Sequence, residues 1–170
     1  MQTSYLEKPV VAMPGMLADL TDGQRIRTGK VMEAAGIPFG IFVKKGAAEG
    51  ELLMPAAGGD KVCGIALHTH YLDPTNLQSL TGIDAVQNDV IPVLEKGLAY
   101  MVIEEDVAED DPVYVRVTAN GAGKLQLGAV RNDADAGNCI LVKGASFRRG
   151  STFATDPVAV VAFDLEASRT

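Results

Sequence analysis

His68 and His70 are the two histidines of the 170-residue chain, and they stand two positions apart. Side chains at positions i and i+2 of a β-strand point to the same face, so both rings could bind one metal ion, as in cupin-type β-barrels. Such sites add a third histidine and a carboxylate, and here only Glu49, Glu51 or Asp73 could contribute through the fold. We therefore expect surface or edge-strand histidines, with no metal and no other cofactor.

Six carboxylates lie within eight residues, at positions 104–106 and 109–111. Paired carboxylates can perform acid–base chemistry, and clustered oxygen ligands can bind calcium. A general acid, however, is a carboxyl group held in an apolar pocket, whereas these residues fall in a polar connection between two predicted strands. We expect a solvated, charged connection whose internal repulsion a basic partner could relieve.

Two further motifs fail on the residues that their chemistry requires. A calcium loop beginning at Asp133 would need glycine at its sixth position and glutamate at its twelfth, but Asn138 and Gly144 stand there. The phosphate-loop-like run 121–124 is followed by Leu125 instead of serine or threonine. There is also no GxSxG elbow and no local signature of a Ser–His–Asp or Cys–His nucleophile. The sequence therefore predicts a protein that is not an enzyme.

The net charge is −7 and the calculated pI about 4.8, so the chain repels nucleic-acid phosphates and anionic lipids. Cys63 and Cys139 are far apart and form no CxxC motif, which favours two buried free thiols in a reducing compartment. The N-terminus lacks a signal-peptide pattern, and no apolar run approaches 18 residues. We expect a cytoplasmic origin, with neither nucleic acid nor membrane as a partner.

From Ile37 onward, short apolar runs alternate with turn signals, which predicts a mainly β fold, either a β-barrel or a jelly-roll-like sandwich. The predicted strands are residues 39–44, 61–68, 89–94, 99–104, 113–118, 124–130, 138–142 and 157–164. Hairpin turns are expected at residues 95–97, 120–123 and 133–138.

Residues 1–35 show no sustained period and are predicted to form an extended N-terminal arm, with at most a short helix within residues 24–35. Residues 36–170 then form a single β domain. A loop excursion is expected at about residues 69–88, and Asp73 with Pro74 can begin a short helix there that runs towards Leu80.

Five segments follow one another in a familiar order: MPGMLAD (13–19), GIPFGIFV (36–43), VCGIA (62–66), IPVLEKGLAYMVIEEDV (91–107) and DPVYVR (111–116). In this order, and in its closing apolar strand, the chain resembles the structural cement, or head decoration, proteins of tailed bacteriophages. The Asp-Pro at 111–112 stands where members of that family tend to have Gly-Asp, so the turn there is expected to differ.

The resemblance implies a β-barrel or jelly-roll-like protein that binds the outside of a capsid and bridges neighbouring major capsid protein subunits. It also implies a homo-oligomer, dimer or trimer, located on the virion after assembly in the bacterial cytoplasm. Within the arm, Met13, Met16 and Leu17 are the expected apolar anchors, and Arg25 and Arg27 are the expected basic contacts with neighbouring subunits.

Other functions stay open from the residues alone. A tail or baseplate subunit would share the same structural character. A small-ligand or metal-binding, cupin-like barrel would use His68 and His70. A carbohydrate-binding sandwich is a weaker alternative, because such proteins usually present exposed aromatic side chains and this chain has no tryptophan.

Overall fold

The computed structural model describes residues 12–19, 23–68, 84–121 and 123–167. The fold is mainly β with a β-barrel core, as the sequence predicts, and a short 3-10 helix lies at Asp135–Gly137. In the described residues the strands are β1 (Arg25–Val31), β2 (Ile37–Pro38), β3 (Phe42–Lys45), β4 (Glu51–Leu53), β5 (Val62–Ala66), β6 (Asp84–Ala85), β7 (Val90–Val102), β8 (Pro112–Arg116), β9 (Val130–Arg131), β10 (Cys139–Arg149) and β11 (Val158–Asp164).

Strand β7 organises the sheet because its two halves pair with different neighbours. Its first half lies between β1 and β5, and β1, β4, β3, β5 and β7 close into a ring. Its second half pairs with β11, which continues through β10 and β8 to β9. A parallel bridge pairs Val130 of β9 with Ile103, the residue directly after β7.

Both faces of the central strands are buried, so two apolar cores form on opposite sides of the same sheet. In β3, Phe42 belongs to one core and Val43 to the other, as successive side chains of a strand must point to opposite faces. Ile65 and Ala66 of β5 divide in the same way. Strands buried on both faces explain the near-continuous apolar runs of the sequence.

The hairpin predicted at residues 95–97 is wrong, because β7 runs through it for 13 residues without a turn. Lys96 pairs with Arg25 of β1 on one side and with Asp164 of β11 on the other. Gly97 is accommodated within the strand with φ +139°, next to a register shift between β1 and β7. Neighbours on both sides therefore keep extended a segment whose residues are typical of a turn.

Two other predicted elements differ from the structure. The strand predicted at 124–130 is wrong except at its last residue, since β9 begins at Val130 and Leu125 is 69% exposed. Within residues 24–35, where at most a short helix is expected, residues 25–31 form the strand β1 instead. In that strand Gly29 lies against Leu52, whose Cδ1 is 2.7 Å from the position that a Cβ would occupy. The helix predicted from Asp73 lies outside the described residues, and Asp84 and Ala85, at the end of the predicted excursion, pair with β2.

Part of the segment predicted as an arm lies on the barrel. Gly15 N donates to Tyr100 O at 2.8 Å, Ala18 N donates to Leu98 O at 3.0 Å, and Leu17 forms an antiparallel bridge with Ala99. With β1 also inside the sheet, an extended arm is not confirmed, and the division of the chain at residue 35 stays a prediction. In the described residues no helix is long and apolar enough to span a membrane.

Gly15→Ala tests how closely this N-terminal segment packs. Gly15 has φ +82°, and a Cβ there would lie 2.8 Å from His68 N and 2.8 Å from Phe39 Cβ. We expect a loss of about 1–3 kcal/mol of unfolding free energy in chemical denaturation. Gly23→Ala is the matched control, because φ is +89° there and nothing lies within 4 Å. Equal losses in the two variants would contradict the close packing.

Candidate protein interface

A groove of about 930 Å³ opens between the N-terminal segment and the turns that flank β8 and β10. It is lined by residues 12–14, 106–108, 111, 132, 149–152 and 155–158, and we call it the acidic groove. Its charged lining consists of the carboxylates Asp106, Asp111 and Asp156 and the guanidinium of Arg149, a formal charge of −2. The groove thus brings the predicted anchor Met13 next to part of the predicted acidic run.

Backbone pairing holds the walls of the acidic groove together. Val107 and Ser151 exchange both hydrogen bonds of an antiparallel bridge, at 3.0 and 2.9 Å. Ser151 Oγ donates to Asp156 O at 2.6 Å, and Phe153 N donates to Asp106 Oδ1 at 2.8 Å. The two walls are therefore fixed to each other at the level of Val107 and Ser151.

Asp111 is held by two donors on one oxygen. Its Oδ2 accepts from Ala108 N at 2.9 Å and from Asn132 Nδ2 at 3.0 Å. The hydrogen bond from Asn132 lowers the pKa of Asp111, so this carboxyl group is ionised at neutral pH. Asn132 also donates through Nδ2 to Asp106 O at 3.4 Å, and this links the two acidic positions of the groove.

The acidic run does not behave as one solvated connection, and for Glu104 that prediction is wrong. Glu104 is 4% exposed and Arg116 is fully buried. Arg116 Nε donates to both carboxylate oxygens of Glu104, at 2.6 and 2.8 Å. Its Nη1 donates to Thr118 O at 2.9 Å and its Nη2 to Asp135 Oδ2 at 2.8 Å. A guanidinium carries five N–H donors in one plane. Arg116 can therefore bind Glu104, the Thr118 carbonyl and Asp135 at different edges of the same group.

Arg131 extends this buried charge cluster towards the acidic groove. Its Nη2 lies 2.6 Å from Glu105 Oε2 and 2.8 Å from Asp133 Oδ1. Glu105 Oε1 accepts from Asn132 N at 3.2 Å, and Asn132 lines the groove. Four of the six carboxylates therefore divide by role: Glu104 and Glu105 neutralise buried arginines, and Asp106 and Asp111 face the groove.

Strand alternation explains why sequence reasoning missed Arg116. The valines at 113, 115 and 117 predict one buried face, and Arg116 then falls on the opposite, supposedly solvated face. The structure buries Val115 and Arg116 alike, since β8 is covered on both faces at its end. The one available signal was the acidic run, which needs basic partners somewhere in the fold.

The predicted anchors occupy two different environments. Met16 is 42% exposed, and Met13 is half-buried in the wall of the acidic groove. Leu17 is partly buried against the protein's own core, so only part of its side chain is accessible to a neighbouring subunit.

The predicted basic contacts are engaged in ion pairs of their own chain. Arg25 Nε and Arg27 Nε lie 2.9 and 2.8 Å from the two oxygens of Glu95. Arg25 Nη1 is also 2.8 Å from Glu166 Oε1, and Arg27 Nη2 is 3.1 Å from Cys63 Sγ. Because β7 continues through Glu95, this carboxylate lies beside β1 and serves both arginines.

The two thiols are buried, and one of the two histidines packs against an aromatic ring. Cys63 and Cys139 are free and buried, as predicted, and burial raises the pKa of Cys139 to about 11. His68 packs edge-on against Phe39 at 5.2 Å between ring centroids, and His70 lies outside the described residues. No group of three or more potential metal ligands occurs among the residues described.

Comparisons with known proteins place this architecture. The sequence model of a family described as "Structural cement protein (E217 gp24/Pam3 gp6)" matches residues 1–164. A search of curated proteins found no match. A chain from the solved structure "The capsid of Myoviridae Phage XM1" is similar over 96% of this chain and 97% of that chain, with a TM-score of 0.70 and 20% identity. At that identity the likeness shows the fold.

Glu104→Gln tests the role of the buried pair. The variant keeps the shape of the side chain but removes the carboxylate charge beside Arg116 Nε, which leaves Asp135 as the charged partner of this buried guanidinium. We expect a loss of about 3–5 kcal/mol of unfolding free energy in urea titration. Arg148→Gln is the control, because the Arg148–Asp110 pair is 56% and 78% exposed and should contribute at most about 1 kcal/mol. Similar small losses in both variants would refute a structural role for Glu104.

Asp135→Asn tests the pH dependence of this cluster. The hydrogen bond from Arg116 lowers the pKa of Asp135. Its stabilisation is therefore present above the unfolded value of about 3.9 and is lost as pH falls through the lower folded pKa. Between about pH 5 and pH 2, we expect the unfolding free energy of the wild type to fall more steeply than the unfolding free energy of Asp135→Asn.

Asp110→Asn is the matched control, because φ is +67° at Asp110 and +40° at Asp135, a region that asparagine tolerates. Parallel pH profiles for wild type and Asp135→Asn would contradict the proposed linkage.

Proposed function

Because the chain belongs to the family of phage structural cement proteins, we propose that it binds the outside of a phage capsid and bridges neighbouring copies of the major capsid protein. Family membership supports a structural role in the virion and a non-enzymatic protein. The proposal adds the surface of attachment and the identity of the partner. It also includes self-association as a dimer or trimer and assembly in the host cytoplasm.

The acidic groove is the observation that carries the proposal within this chain. It joins an apolar residue, Met13, to the charged positions Asp106, Asp111 and Asp156 in one concave surface. A protein interface commonly combines an apolar centre that fills a pocket with a polar rim. Met16, 42% exposed, extends the apolar part beyond the groove.

A two-core barrel suits a bridging protein mechanically. The central strands β3 and β5 contribute to both cores, so the barrel beneath the outer surface is closely packed and keeps its shape when a neighbour docks. Rigid partners lose little conformational entropy on binding. If each subunit contacts two shell proteins, the second contact is intramolecular and adds avidity without strong individual contacts.

Particles assembled with and without this chain test the proposal. We expect electron microscopy to show the protein as density on the outer surface of the head, touching more than one shell subunit. Particles that lack it should lose their DNA at lower temperature. Density on the tail would favour a tail or baseplate role, and unchanged head occupancy and stability on omission would refute the cement role.

Met13→Ser tests the apolar part of the interface. We expect about tenfold weaker binding to shells that lack the protein, since a buried methionine contributes about 1.5–3 kcal/mol and Met13 is already half-buried in the free protein. Leu125→Ser is the control, because Leu125 is 69% exposed and does not line the acidic groove. Sedimentation of shells with bound protein measures both variants, and equal binding would remove Met13 from the interface.

A further inference from the structure

We propose that the acidic groove binds an extended, basic segment of the capsid shell, one that carries lysine or arginine beside small apolar side chains. The inference rests on the proposed cement function and specifies the chemistry of its partner. Three properties of the groove support it: its charge, its shape and its fixed geometry.

The charge of the groove favours a cationic occupant. Asp106 accepts through Oδ1 and Asp111 through Oδ2 in the hydrogen bonds that hold the loops. The second oxygen of each carboxylate can therefore accept from an incoming ammonium or guanidinium group. Asp156 lies 3.5 Å from Arg149 at closest approach, a long separation that leaves the carboxylate accessible to a competing cation.

The same charge disfavours two other occupants. Nucleic acid is a polyanion and is repelled by a groove of formal charge −2. A second copy of this chain carries a net charge of −7, so self-contact at the groove would bring like charges together. A basic segment of a different protein is the partner with complementary charge, and under the proposed function that protein is the shell.

The shape of the groove suits a peptide segment. Its volume of about 930 Å³ lies near the upper end of the range for ligand clefts, about 300–1,000 Å³. Small residues, Ala12, Ala108 and Gly150, form parts of its walls, which lets a backbone approach closely. A Cβ at Gly150 would lie 2.8 Å from Val107 O, so this wall is closed to larger residues.

The buried charge cluster fixes the positions of the groove carboxylates. Arg131 holds Glu105, Glu105 holds the backbone of Asn132, and Asn132 Nδ2 donates to Asp111 at 3.0 Å. The side chain of Asp111 and the backbone of Asp106 are therefore held in place before a partner arrives, and this reduces the entropy lost on binding. Glu104 and Arg116 thus support the groove without contacting its occupant.

The test compares Asp106→Asn/Asp156→Asn with wild type in binding to shells that lack the protein. Asparagine keeps an Oδ1 acceptor for Phe153 N, so the loop is preserved. We expect about tenfold weaker binding at low salt for the double variant, and a smaller fall in affinity from about 50 to 200 mM salt than for wild type. Glu49→Gln/Asp89→Asn is the control, since it makes the same change in net charge outside the groove.

The outcomes separate the two proposals. If wild type binds shells and the groove variant binds equally well with the same salt dependence, the inference fails and the cement function stands. If wild type does not bind shells at all, the proposed function fails, and the inference with it. A change in the oligomeric state of the free double variant, measured by light scattering, would identify the groove as a self-contact and would also overturn the inference.

Discussion

The full burial of Arg116 is the constraint on which the surrounding structure depends. A guanidinium cannot be left uncompensated in the interior, so the fold must bring carboxylates to it from other parts of the chain. Arg116 Nε donates to Glu104, which lies just beyond β7. Arg116 Nη2 donates to Asp135, which lies in the turn before β10. One buried charge thereby fixes how the end of β7, the end of β8 and the turn after β9 lie relative to one another.

The strained turn that carries Asp135 fits this account. Asp135, Ala136 and Gly137 all have positive φ, at +40°, +54° and +93°, which costs free energy at the two non-glycine residues. The contacts of Asp135 with Arg116 and Asn120, at 2.8 and 2.6 Å, offset that cost. Through Arg131 and Glu105 the buried cluster also holds Asn132 in the wall of the acidic groove, so internal charge pairing and the proposed binding surface are structurally connected.

The sequence predicts those elements whose local residue pattern reflects their burial, and it misses those that depend on pairing with distant strands. The apolar run at 157–164 predicted β11 because a strand buried on both faces must be apolar at nearly every position. The sequence does not predict β1, because its buried positions are Gly29 and Val31 and a glycine does not contribute to an alternating apolar pattern. The hairpin wrongly predicted at 95–97 has turn-forming residues, but strands distant in sequence pair with it on both sides.

The candidate site was predicted only in part. The sequence singles out Met13 and the acidic run, but their position in one groove depends on the long-range bridge between Val107 and Ser151.

A reconstruction of a capsid shell with this protein bound is the measurement that tests the central claim most directly. The account predicts that the acidic groove faces the shell and contains density for a segment of a capsid protein, with a basic side chain near Asp106 or Asp156. A groove that faces solvent and is empty, while the protein is attached through another surface, would contradict the account.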